Sequence, residues 1–176
     1  PVISAIDPNV PNFVAELHRL VGRPIGVNLE PVDASAQMNE ERQELVTGRQ
    51  LNEASLQAAQ ALGVDFICLT GNPGTGVTNK TIASAIRLTK QHFSGLVIAG
   101  KMHGAGVDEP VADLEAVSQF IEAGADVILA PAVGSVPGFD EADLKAIVQR
   151  AHQAGALVMS AIGTSQESSD TDTIKQ

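Results

Sequence analysis

The residues of this sequence that can do chemistry sit where short apolar runs end. The run "GLVIAG" (95–100) leads into Lys101, and His103 follows two residues later in "KMHGAG". A lysine at a strand end inside a barrel can be desolvated and serve as a nucleophile or base. If it stays charged, it can hold a phosphate or carboxylate instead. A structural ion pair with an inward carboxylate is the plain alternative. His103 suits acid–base work or metal ligation, and equally the capping of a turn. In "GVNLEPVD", Asn28 and Glu30 fall on one face of a strand end, with Asp33 just beyond. A buried carboxylate needs a partner or a metal. Glu30 with Lys101 from across a barrel would make a general acid–base pair or a charged clamp; otherwise Glu30 stands exposed at the rim.

The stretch "LTGNPGTGVTNK" (69–80) has the look of a phosphate cradle. Gly71 and Gly76 have the separation of the nucleotide P-loop, but Val77 stands where that motif needs its lysine. The dinucleotide pattern fails too, because Asn79 replaces its third glycine. What remains is a loop in which Gly74, Thr75, Gly76 and Thr78 offer amides and hydroxyls ahead of a helix start, whose positive end suits an anion. A tight turn with Thr78 or Asn79 as helix cap explains the same residues. Ser135, in "PAVGSVPG", and the run Gly163, Thr164, Ser165 repeat the theme after later strands. Taken together these loops suit a small, oxygen-rich, anionic ligand.

The elements that must position these residues follow from periodicity. Continuous Val, Ile and Leu runs mark strands at 24–29, 65–70, 95–100, 126–131 and 156–161, with a weaker candidate at 1–6. Such runs fit strands buried on both faces of a parallel sheet. Helical patterns fill 12–21, 39–62 (one helix or two), 79–92, 111–123 and 140–154. The phrases "ALGVDFICLT", "EAGADVILAP" and "QAGALVMSA" repeat one design: helix end, glycine, strand. An α/β fold follows. A (β/α)8 barrel takes about 250 residues, so 1–176 would form a single α/β domain supplying five or six of its eight units. The regular repeat and the polar loop after nearly every strand favour this barrel portion over a doubly wound, flavodoxin-like sheet. The chain opens at Pro1 without an initiator Met and closes on "DTDTIKQ", as a fragment of a complete barrel would.

Composition narrows the partners. The 21 acidic residues outnumber 11 basic ones, giving a net charge of −10, and there is no Trp or Tyr. Nucleic acid, which needs clustered cations and stacking platforms, is therefore not an expected partner. No apolar run is long enough to span a bilayer. Cys68 is the single cysteine, lies inside an apolar run, and reads as a core residue of a reducing, cytoplasmic compartment. His18, His92 and His152 fall on helices and receive no role. No CxxC, HExxH or GxSxG motif is present, so no cofactor is expected; a divalent metal is compatible but unsupported, and a homo-oligomer is compatible.

With "GRPIGVNLEPVD", "LTGNPGTGVTN", "AGKMHGAGV" and "PAVGSVPG" in view, the chain resembles a bacterial TIM-barrel family of unknown function. Its members are often labelled haloacid dehalogenase-like, and some are encoded near sugar phosphotransferase genes. The likeness spans most of the chain. It implies a barrel whose amino-terminal units and last strand are missing here, and it transfers no established catalytic residue. The dehalogenase label would require a DxD-type nucleophile motif after the first strand, and none follows it. A looser similarity, to phosphosugar-handling barrels and to the phosphoenolpyruvate mutase and isocitrate lyase group, would bring Mg²⁺-binding acidic clusters that are not evident.

These readings converge on an enzyme of lyase, aldolase or isomerase type acting on a small phosphorylated or carboxylated metabolite. Lys101, Glu30, His103 and Asn28 would be its catalytic group, and Gly74, Thr75, Gly76, Thr78 and Ser135 its anion-binding group. A non-catalytic metabolite-binding or interaction module on the same scaffold is the alternative.

Overall fold

The structure, a computed structural model, describes residues 10–32, 47–71, 74–105 and 107–161. Helix α1 (Val10–Val21) leads to strand β1 (Gly26–Leu29), and a single 3₁₀ turn (Thr47–Arg49) precedes α2 (Glu53–Leu62). Then β2 (Phe66–Thr70), α3 (Asn79–His92), β3 (Leu96–Gly100), α4 (Leu114–Ala123), β4 (Val127–Pro131), α5 (Glu141–Gln153) and β5 (Leu157–Ala161) alternate without interruption. The expected strand at 1–6, Asp33, and the Gly163–Thr164–Ser165 loop lie outside the described residues.

All five strands are parallel and stand in the order β1-β2-β3-β4-β5. A doubly wound sheet reverses its order at a switch point; this sheet never does. The structure therefore carries the barrel portion and not the flavodoxin-like alternative. Alternate strand residues Val27, Leu29, Ile67, Leu69, Val97, Ala99 and Ile128 pack into one core. Helix residues Leu56, Ile82, Ile86, Val117, Phe120 and Ile147 cover them from the same side. Each Val, Leu, Ile or Phe among them contributes about 1.5–3 kcal/mol of burial. The other parity forms the second face: Phe66 and Cys68 are half-buried, and Leu96, Leu157 and Met159 are exposed.

Helix starts depend on side-chain caps. Asn52 caps α2, Thr78 caps α3, Asp113 caps α4 and Asp140 caps α5, each accepting a backbone N–H in the first turn. The cap at Asp113 moves the start of α4 three residues beyond the expected 111, because a carboxylate cap outcompetes the preceding proline as a start signal. One device recurs at the amino ends of the strands. Asp65 accepts the Ile25 amide at 2.7 Å, and Asp126 accepts the Val97 amide at 2.8 Å, each stapling one strand entry to the next.

Candidate functional site

At the carboxyl end of β1 the chain buries a charge. Glu30 is 0% exposed and its Oε1 accepts from Arg49 Nη2 at 2.5 Å. The backbone sets this meeting: Glu30 N–H donates to Arg49 O at 2.7 Å, and Leu51 N–H donates to Glu30 O at 3.0 Å. The segment before α2 is thus held alongside the strand end, and its arginine turns onto the glutamate. Glu30 and Asn28 share the parity of Gly26 and Phe66, the face turned away from the helices. Thr70 at the end of β2 has that parity as well and is 3% exposed. Asn28 Oδ1, Thr70 Oγ1 and Arg49 Nε are buried without a hydrogen-bond partner among the described residues. A buried polar atom left so costs about 1–3 kcal/mol, which makes this patch of the second face unusual.

Lys101 comes directly after the end of β3 and is 1% exposed. It meets the carboxylate of Glu109. The same Glu109 Oε1 accepts the Asn79 amide at 2.6 Å, the first N–H of α3, and Asn79 Nδ2 donates to Pro110 O at 3.1 Å. Two sequence positions expected to meet each other therefore have separate partners: Glu30 takes Arg49, and Lys101 takes Glu109. The reason lies in register and in the end of β3. Leu29, Leu69 and Ala99 are aligned, so Glu30 continues the second face of β1. Lys101 instead follows Gly100, where β3 ends with a φ of 149°, and its ammonium meets Glu109 at the start of α3.

The loop after β2 is largely satisfied within the chain. Gly74 and Gly76 adopt φ of 73° and 70°, which glycine alone tolerates freely. Gly76 N–H donates to Ala105 O at 2.9 Å. Thr75 is fully buried. Thr78 caps α3 in a reciprocal box with Thr81, so its hydroxyl and amide are both engaged. The anion at this helix terminus is the protein's own Glu109. Ser135 donates its hydroxyl to Ala132 O at 2.7 Å, closing a turn. His103 is half-buried, with Nδ1 at 3.3 Å from Gly104 O. Neither is brought to Glu30 or Lys101 by any contact among the described residues.

Arg49, Thr70 and Glu109 received no role from the sequence. Arg49 fell within a stretch read as helix, Thr70 read as the last residue of a strand, and Glu109 sat in the same loop as Lys101. A buried Glu30 demands a cation, and that demand was the signal that could have pointed to Arg49. Cys68 is half-buried on the second face, level with Asn28, rather than in the core, and its partial burial pushes the thiol up to about 11. No group of three or more His, Cys, Asp and Glu residues stands together as metal ligands among the described residues. No helix among them is long and apolar enough to cross a membrane.

Comparison with known proteins places this geometry in context. The model of a domain of unknown function, DUF7916, matches residues 1–176. No curated protein matches the chain. Among solved structures, a phosphonopyruvate hydrolase is similar at 13% identity with a TM-score of 0.50, over 99% of this chain and 62% of its own. A tetrameric deoxyribose phosphate aldolase from Aeropyrum pernix shares 14% identity at a TM-score of 0.46, over 87% of this chain and 62% of its own. A phosphonopyruvate hydrolase solved with oxalate and Mg²⁺ shares 15% identity at 0.47, over 79% and 46%. The chain thus spans between about half and three fifths of the length of these structures. At such identity the likeness is one of fold, a TIM-barrel-like α/β arrangement.

Proposed function

The chain belongs to the DUF7916 family of domains of unknown function, and we propose that it is a portion of a TIM-barrel enzyme acting on a small carboxylated or phosphorylated metabolite. One observation carries this reading: the fully buried Glu30, paired with a partly exposed Arg49, at the carboxyl end of β1 on the face opposite the helices. Barrel enzymes build their sites at that end of the strands, and a fully buried carboxylate is retained where its chemistry is used. Glu30 would take a proton from carbon beside a carbonyl, and Arg49 would stabilise the negative charge that develops on oxygen. Returning the proton to the neighbouring carbon, while the hydroxyl proton there passes to the former carbonyl oxygen, is isomerisation. Taking the proton instead from a hydroxyl β to the carbonyl lets that oxygen become a new carbonyl as the carbon–carbon bond breaks. The electrons of that bond pass into an enolate; this is lyase chemistry, and both fit the pair. Asn28, on the same face, orients the substrate. Lys101, joined to Glu109, holds the loop that follows β3 against α3 and so acts as a positioning residue. The lone cysteine, Cys68, fits a cytoplasmic setting.

The test is a turnover and binding screen of 2-oxoacids, hydroxyacids and sugar phosphates. With a substrate in hand, Glu30→Gln should lower kcat by a factor of about 10² or more, the usual contribution of a general base. Unchanged turnover in that variant would sink the assignment of Glu30. Saturable binding with no turnover of any compound would favour the non-catalytic binding module.

A further inference from the structure

The guanidinium of Arg49 is only partly used. Its Nη2 donates to Glu30 Oε1, while its Nε is buried and has no hydrogen-bond partner among the described residues. Nε and Nη2 form one of the two forks by which arginine grips a carboxylate, so this fork has a prong to spare. Thr70 is the second feature. It is 97% buried by the same measure that leaves it 3% exposed, and its hydroxyl is without a partner among the described residues. The β1–β2 pairing runs through Leu29↔Leu69; one residue further, Thr70 stands beside Glu30. The third is Asn28 Oδ1, an acceptor left open on the same face, one layer deeper in the sheet.

We infer that these groups form a subsite for a small hydroxycarboxylate. The ligand's carboxylate accepts from Arg49 Nε–H and Thr70 O–H, and its hydroxyl donates to Asn28 Oδ1. This rests on the reading of the second face as the reaction site and names the class of substrate it takes. Charge sharpens the choice. Glu30 already places one carboxylate here, so a ligand carboxylate adds one negative charge beside it and a phosphate dianion adds two. A monoanion that fills the open donors and the open acceptor fits best.

The probe is glycolate, titrated into ¹⁵N,¹³C-labelled protein while the Arg49 Nε–H resonance, assigned by side-chain correlation to the Arg49 backbone, is followed. Acetate and inorganic phosphate serve as comparisons. Glycolate should move the resonance saturably. Acetate, lacking the hydroxyl, should bind roughly tenfold more weakly, and Thr70→Val should weaken glycolate by a similar factor, each the loss of one hydrogen bond. A resonance that stays still or drifts without saturation would overturn the subsite. So would glycolate binding undiminished in Thr70→Val, or phosphate binding as tightly as glycolate. Thr70→Val and the wild-type resonance keep the test decisive even where Arg49 variants fail to fold. The two proposals separate cleanly. If Glu30→Gln abolishes turnover while glycolate is ignored, the subsite falls and the reaction site stands; saturable glycolate binding with Glu30→Gln fully active does the reverse.

Discussion

Lys101 and Glu109 form an ion pair across the loop that follows β3, with the lysine side chain 1% exposed and the glutamate 23% exposed. The carboxylate is shared, since its Oε1 also receives the Asn79 amide at the amino end of α3. One glutamate thus neutralises a buried ammonium and completes a helix terminus, tying β3, its loop and α3 into one unit.

Neutralising the anion should hurt more than removing the cation. Glu109→Gln leaves the buried Lys101 ammonium without its charge partner and should cost about 3–5 kcal/mol. Lys101→Met leaves a carboxylate that is partly solvated and still accepts the Asn79 amide, and should cost about 1–2 kcal/mol. Urea denaturation of the two variants checks the order, and equal losses would contradict it. The same burial predicts that borohydride will trap no 2-oxoacid adduct on Lys101 in the native protein.

Two glycines near this loop should respond in opposite ways. A Cβ on Gly100 would lie 2.0 Å from Leu129 O, a backbone atom that cannot step aside, and φ there is +149°. Gly100→Ala should therefore cost more than about 3 kcal/mol, in the range of severe overpacking. Gly104 has nothing within 4 Å of its would-be Cβ, and Gly104→Ala should stay within about 0.5 kcal/mol of wild type. Melting temperatures of the pair give a direct reading.

Asp65 supplies a pH dependence. The Ile25 amide, first, and the His18 ring hold its carboxyl below the ordinary carboxylate value. A group whose folded pKa is depressed stabilises the fold above its unfolded pKa, about 3.9, and loses that contribution as pH falls through the folded value. Stability should thus be flat in this respect near neutrality and decline below about pH 4. Asp65→Asn should lower stability at pH 7 and flatten the acid limb of a stability–pH curve. An unchanged acid limb would show that the staple contributes nothing.

Cys68 should be inert in the folded state. With its thiol raised to about 11 by burial, thiolate is scarce at neutral pH. A disulfide reagent should label the native protein far more slowly than the urea-unfolded protein. Rapid labelling of native protein would place the thiol in solvent.

Much of the architecture was written in local pattern. The apolar runs at 65–70, 95–100, 126–131 and 156–161 match the strands to within a residue, and the start of α3 after Thr78 was readable from its cap. These features depend on period and on side chains acting within three or four residues, which sequence displays directly. The strand order β1 to β5 and the partners of the charges do not. Glu30 finds Arg49 nineteen positions away, and Glu109 reaches Asn79 across thirty. Such meetings depend on which face each strand end turns outward, and a shift of one residue reverses it. The sequence therefore determined that Glu30, Asn28 and Lys101 lie at strand ends. That Glu30 and Asn28 share a face was legible as well; only the packed sheet decided that this face is the one away from the helices, that Arg49 meets Glu30 there, and that Lys101 instead meets Glu109 at the start of α3.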